Sequence, residues 1–132
     1  MSDVARTGVL IYAKDLAPLS AFYETVLGAR VVHADEDHRV LMSPDAQLIM
    51  QSIPAHIASD IVIAAPPAPR EAQAIKPFFT VSDLAAAEQT AEALGGRVLG
   101  PIWPGPGFRS RNVCDPEGNI VNLRERLARS PG

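Results

Sequence analysis

The sequence predicts an α+β protein made of two successive βαβββ modules, each a strand, a helix and three further strands. Three observations carry this. Ala13-Lys14-Asp15-Leu16-Ala17 recurs as Val81-Ser82-Asp83-Leu84-Ala85 about half a chain later. The amphipathic stretch that follows each copy ends alike, in Leu27-Gly28-Ala29-Arg30-Val31 and in Leu94-Gly95-Gly96-Arg97-Val98. Short β-favouring runs broken by turn residues then complete each half.

In chain order, the first strand is the apolar segment 9–13. Asp15 is placed to cap the helix after it, its carboxylate accepting from the first free amides and meeting the positive end of the helix dipole. In that helix Leu16, Leu19, Phe22, Tyr23, Val26 and Leu27 recur at helical spacing, while Ser20, Glu24 and Thr25 fill other faces. Gly28 stands where a left-handed C-terminal residue is favoured. Strands are expected at 30–34, 38–42 and 47–51. Residues 53–73, rich in Ala and Pro, read as a linker whose Pro66-Pro67-Ala68-Pro69 stretch is stiff and extended, able to span the halves or reach a neighbouring subunit. The second module repeats the plan: an apolar strand at 75–81, an Asp83 cap, an Ala-rich helix over 84–94, Gly95, and strands at 97–100, 108–114 and 119–125. Ser43-Pro44-Asp45-Ala46 and Asp115-Pro116-Glu117-Gly118 are matching turns with proline at the second position. The chain thus reads as one domain, 1–132, with module one at about 7–52 and module two at about 74–127.

At 132 residues, roughly two-thirds of the unfolded surface can be buried without a disulfide or metal staple. Apolar residues are 47% and charged ones 20%, which argues for a folded globular chain. The single cysteine, Cys114, excludes an internal disulfide framework and any Cys-rich zinc site, and reads as a buried, unreactive thiol. No basic start leads into an apolar run, and no run approaches the roughly 18 residues that span a bilayer. The cytoplasm is the expected compartment and a membrane is not an expected partner. A net charge of −3, with Lys and Arg scattered, gives no attraction to phosphate backbones, so nucleic acid is not expected either.

The duplicated modules, the Phe22-Tyr23 pair ahead of Leu27-Gly28, Arg109 six residues before Asp115, and Asp115-Pro116-Glu117-Gly118-Asn119 before the last strand together resemble the vicinal-oxygen-chelate superfamily of glyoxalases, bleomycin-resistance proteins and extradiol dioxygenases. The resemblance covers nearly the whole chain. It implies that the modules form a half-open barrel around one cavity, often completed in a homodimer.

Metal-dependent members of that superfamily use a His or Gln on the first strand, a His on the fifth and a Glu on the eighth, with a further Glu on the fourth in some. Such groups supply the lone pairs that hold a divalent cation while two substrate oxygens chelate it. The matching positions here are Gly8, Lys76 and Asn122, with Ile49 or Gln51 on the fourth strand. A hydrogen, an ammonium and neutral groups stand where ligands would, so no metal and no cofactor are expected. His33 and His38 bracket Asp35-Glu36-Asp37, which reads as a solvated turn, and His56 reads as a surface residue.

Strand alternation sends Gly8, Leu10 and Tyr12 to one face, with Lys76, Phe78, Thr80, Asn122 and Arg124 on the corresponding face of module two. Gly8 either enlarges a cavity or is a local backbone accommodation. Lys76 either meets an anionic ligand or extends into water. Arg109 and Arg111 offer a second anchor for a carboxylate or else pair with surface acids. Residues 100–108, with Trp103 and Phe108 among prolines and glycines, read as a shaped loop that contacts a ligand or covers a core edge or dimer contact. The expected ligand-binding residues are Tyr12, Lys76, Phe78, Trp103, Phe108, Arg109 and Asn122. The expected function is metal-free binding of a small anionic or planar aromatic molecule in a homodimer. The alternative is a glyoxalase-like lyase or dioxygenase, metal-dependent or metal-independent.

Overall fold

A computed structural model describes residues 5–43 and 46–128. It divides after Val62 into two compact units, and each has the βαβββ plan, so the α+β fold class holds.

The first unit contains β1 (Gly8–Ala13), α1 (Leu16–Leu27), β2 (Arg30–Ala34), β3 (His38–Met42), β4 (Gln47–Ser52) and one helical turn, α2 (Ala55–Ala58). Its sheet runs β1-β4-β3-β2. The β1–β4 pair is parallel and the others are antiparallel, because the helical crossover sends β2 in the direction of β1 and two reversals then bring β4 back to that direction beside β1. Leu16, Leu19, Phe22, Tyr23 and Val26 bury the inner stripe of α1, and Phe22 meets Tyr23 edge-on with centroids 5.0 Å apart. Ser20, expected on an outer face, is also buried. Pro18 is tolerated because it lies in the first turn, where an N–H would have no partner within the helix.

The second unit contains β5 (Phe78–Val81), α3 (Leu84–Ala93), β6 (Arg97–Gly105), β7 (Phe108–Cys114) and β8 (Ile120–Arg126). The sheet order is β5-β8-β7-β6, the same arrangement one repeat later. Val81, Leu84, Ala87, Ala91, Val113 and Leu123 are buried in its core.

Both long helices end in one motif. The Ala29 amide donates to the Glu24 carbonyl at 3.1 Å, and the Gly96 amide to that of Ala91 at 2.8 Å. The residues between them, Gly28 and Gly95, have φ of 63° and 93°, so glycine is required for this 6→1 closure. The helix starts differ. Asp83 accepts from the Ala86 amide at 3.1 Å, whereas Asp15 occupies the cap position without a side-chain cap bond.

Three departures from the sequence reading are the most consequential. β5 begins at Phe78 rather than at 75, since Pro77 has no N–H for a ladder; its carbonyl accepts from the Asn122 amide at 2.9 Å. β6 runs on to Gly105, with Trp103 opposite Ser110 and a register shift between Leu99 and Trp103. The expected loop at 100–108 is therefore mostly an edge strand, where prolines are tolerated. Part of the expected linker is fixed to the second unit. Gln73 accepts from the Ile120 amide and donates to its carbonyl, both at 2.8 Å, and the Arg70 amide donates to the Gly118 carbonyl at 2.9 Å. The Ser43–Ala46 turn is bridged by a 3.0 Å bond from the Ser43 amide to the Ala46 carbonyl, and its Pro44 and Asp45 lie outside the described residues.

Candidate functional site

The second unit has one sheet face covered by α3 and one left open. Register decides which residues share the open face. Phe78 is opposite Asn122, Thr80 opposite Arg124, and on the other side of β8 these two meet Asn112 and Ser110, with Phe108 opposite Arg126. A cleft of about 200 Å³ lies here, lined by Phe78, Thr80, Pro106, Gly107, Phe108, Arg124 and Arg126. Its walls are aromatic, its charges are two guanidiniums, and among the described residues no carboxylate lines it.

Arg124 organises this face. Its guanidinium carbon lies over the Phe78 ring, 4.0 Å from the centroid, and over the Phe108 ring at 4.5 Å, an electrostatically favourable placement against the ring quadrupoles. Its Nε donates to Asn122 Oδ1 at 3.0 Å, and Asn122 Nδ2 donates to Asn112 Oδ1, also at 3.0 Å. Phe108 is seated by the β6–β7 turn. A Cβ on Gly105 would overlap the Phe108 ring, so glycine makes room for it.

The expected site residues separate accordingly. Phe78, Phe108 and Asn122 come together around Arg124. Trp103 is 57% exposed and, by its register with Ser110, stands on the same face one strand beyond β7. Lys76 is exposed and precedes β5. Arg109 lies on the helix-covered side, since adjacent strand residues take opposite faces. It binds Glu125 at 3.2 Å and 3.5 Å. That carboxylate also accepts from the Leu84 amide at 2.7 Å, and hydrogen bonding from these two residues, the Leu84 amide foremost, holds it below the usual glutamate range. Arg111 likewise turns to Glu88, at 3.3 Å. Tyr12, 60% exposed, is on the open face of the first unit's sheet, opposite Gln51. Arg124, Asn112 and Thr80 are what the sequence reading left out of the site. Alternation had already turned Arg124 and Thr80 to this face, but the contacts come from strands separated in sequence.

The first unit has a larger cleft, about 640 Å³, at the strand ends beside α2, lined by Lys14, Asp37, His38, Gln51, Ser52 and neighbours from 53 to 59. Its basic groups are occupied within the protein: Lys14 Nζ donates to the Ile61 carbonyl, and His38 Nδ1 lies 3.3 Å from Asp35 Oδ1. Asp35 is the hub of the β2–β3 hairpin. His33 Nε2 donates to it at 2.8 Å, as do the Asp37 and His38 amides. These bonds, that of His33 foremost, hold its carboxyl far below the usual aspartate range.

A superfamily-type metal does not fit the residues present. Gly8 has no side-chain donor, Lys76 offers an ammonium, and the Asn122 amide is already committed at both ends to Asn112 and Arg124. Among the described residues no group of three or more His, Cys, Asp or Glu is arranged to hold a metal ion. Cys114 is fully buried, and burial raises its thiol pKa, followed in effect by the neighbouring Asp115 charge. Both oppose thiolate formation.

A family model described as a glyoxalase-like domain matches residues 8–123. No curated protein sequence matches this one. Among solved structures, the chain is similar to a glyoxalase/bleomycin resistance protein/dioxygenase family enzyme from Burkholderia phytofirmans PsJN, with TM-score 0.68, 17% identity, and coverage of 94% of this chain and 100% of that one. A glyoxalase/bleomycin resistance protein from Albidiferax ferrireducens T118 gives TM-score 0.67 at 18% identity, covering 91% of this chain and 97% of the other. A bleomycin-binding protein solved with bleomycin gives 0.58 at 18%, covering 93% and 99%. At these identities the likeness is one of fold.

Proposed function

The chain belongs to the glyoxalase-like domain family, and from that premise we propose that it is a metal-free small-molecule-binding protein of the glyoxalase/bleomycin-resistance type. Its ligand is small and anionic or planar aromatic, and it is bound on the open face of the second module. The observation that carries this reading is Arg124, a cation set against two aromatic rings in a cleft without a carboxylate. A charged group so placed gains from an anionic guest, and the rings of Phe78 and Phe108 offer flat apolar surface to the guest's body. The cleft volume is below the ~300–1,000 Å³ of drug-sized sites, so a small metabolite suits it better than a large glycopeptide.

The alternative, a lyase or dioxygenase, needs either a cation that the donor set does not fit or an acid–base pair, and no geometry among the described residues favours one. A homodimer belongs to the proposal. Leu10 and Tyr12, 48% and 60% exposed on the edge strand β1, are apolar groups that a second copy would cover, and light scattering of the purified protein checks it.

The chain has a single tryptophan, Trp103, on the open face, so its fluorescence reports binding there. Titration with benzoate, naphthoate and small aliphatic carboxylates should give a saturable change with at least one of them. Arg124→Ala should weaken it about tenfold or more, the scale of a charge-assisted bond, with unchanged circular dichroism. Absence of any response across aromatic and aliphatic acids would overturn the reading.

A further inference from the structure

Asparagine has one accepting and one donating end, so a chain of two asparagines has a direction. Asn112 Oδ1 accepts from Asn122 Nδ2, which turns the Asn122 oxygen toward Arg124 Nε. If the Asn122 amide were reversed, its NH2 would face the Nε–H, donor against donor. Asn112 is directly opposite Asn122 across the β7–β8 ladder, and Arg124 follows two residues later on the same face, so the sheet itself keeps the three in line.

With Nε engaged in this way, the terminal nitrogens of Arg124 make no hydrogen bond among the described residues. Phe78 and Phe108 approach the guanidinium at 4.0 and 4.5 Å and limit what can lie beside it to something flat. Two parallel N–H donors at a fixed spacing match the two oxygens of a carboxylate.

We propose that this face recognises a planar aromatic carboxylate through the terminal nitrogens of Arg124, and that Asn112 is the positioning residue that holds that guanidinium through Asn122. The inference rests on the small-molecule-binding reading above and goes further, naming the ligand's head group and a residue that the ligand does not touch. Arg126, the other guanidinium of the cleft, adds positive potential, and no acid is among the described residues that line the cleft; Glu125 points to the helix side, toward Arg109 and α3.

The test uses the full chain, Trp103 fluorescence, and three probes that share a phenyl ring: benzoate, neutral benzamide and phenylphosphonate. The wild type should bind benzoate about tenfold more tightly than benzamide, the scale of a charge-assisted pair, and more tightly than the tetrahedral phosphonate. In Asn112→Ala the preference for benzoate over benzamide should fall to about threefold or less, with benzoate affinity losing more than benzamide affinity, a selective change that a general loss of structure would not produce. A second readout needs no ligand: the Arg124 Nε–H should exchange slowly with solvent by NMR in the wild type and in Asn112→Asp, which keeps the acceptor oxygen, and faster in Asn112→Ala. No response to any probe would overturn the binding reading and this inference with it. Benzamide binding as tightly as benzoate, or phenylphosphonate binding more tightly, would overturn the carboxylate assignment alone. Unchanged preference and unchanged Nε–H exchange in Asn112→Ala would overturn the role of Asn112.

Discussion

Asp115 is a charged side chain with no solvent exposure, and what it binds explains why that is stable. Its Oδ1 accepts from the Glu117 amide at 2.9 Å and the Asn119 amide at 3.0 Å, and its Oδ2 from Asn119 Nδ2 at 2.8 Å. One carboxylate thus satisfies donors that a tight turn between β7 and β8 would otherwise leave buried and unpaired. Asp115→Ala should cost about 2–4 kcal/mol, the range for breaking a buried hydrogen-bonded network, measured by urea denaturation, with Trp103 fluorescence as probe. At the same scale, the residues of the candidate site were only partly legible. Phe78 and Asn122 follow from alternation along their own strands, and Phe108 from the aromatic character of its glycine- and proline-rich stretch. The role of Arg124 depends on neighbours from β5 and β7, and Arg109 beside Phe108 could not share its face.

Glycines at positive φ test how element ends are built. Gly28 and Gly118 have φ of 63° and 88°, so an L side chain is strained at either. The surroundings differ. A Cβ at Gly28 meets nothing within 4 Å, whereas one at Gly118 would overlap the Ala68 carbonyl oxygen. Gly28→Ala should therefore cost about 1 kcal/mol, and Gly118→Ala clearly more, because it also displaces the segment that Arg70 and Gln73 tie to the turn; thermal melts of the two variants compare them directly. Helix positions and both 6→1 closures were legible because apolar spacing and glycine placement are local signals. The start of β5 and the length of β6 were not. A strand boundary depends on which backbone groups find a partner, and Pro77, Pro101 and Pro104 act differently before a ladder and on its edge. The docking of residues 67–73 was hidden for the same reason: Arg97 Nη1 reaches the Pro67 carbonyl at 3.1 Å across 30 positions of sequence.

For the molecule as a whole, two carboxylates tie stability to pH. Asp35 and Glu125 both have folded-state pKa values below their ordinary ones. A depressed carboxylate contributes stability that is fully present above its unfolded pKa, ~4, and is lost as pH falls through the lower folded value. Urea midpoints should therefore be flat in these two contributions above about pH 5 and decline below about pH 4, with Glu125→Gln reducing the decline. The donor set gives a second expectation. Adding Ni, Zn, Mn or Fe salts, or a chelator, should leave the melting temperature unchanged, because a metal bound only by the native state would raise it; a reversible rise of several degrees would return the chain to the metal-dependent class. The edge of the second sheet has a further consequence. An incoming strand from another molecule needs a regular row of donors and acceptors, and β6 presents Pro101, Pro104 and a register shift instead. That side of the sheet is protected against templated growth, so crowding or partial unfolding at high concentration should not seed fibres from it, and replacing both prolines by threonine should make the protein more prone to aggregate without weakening its core.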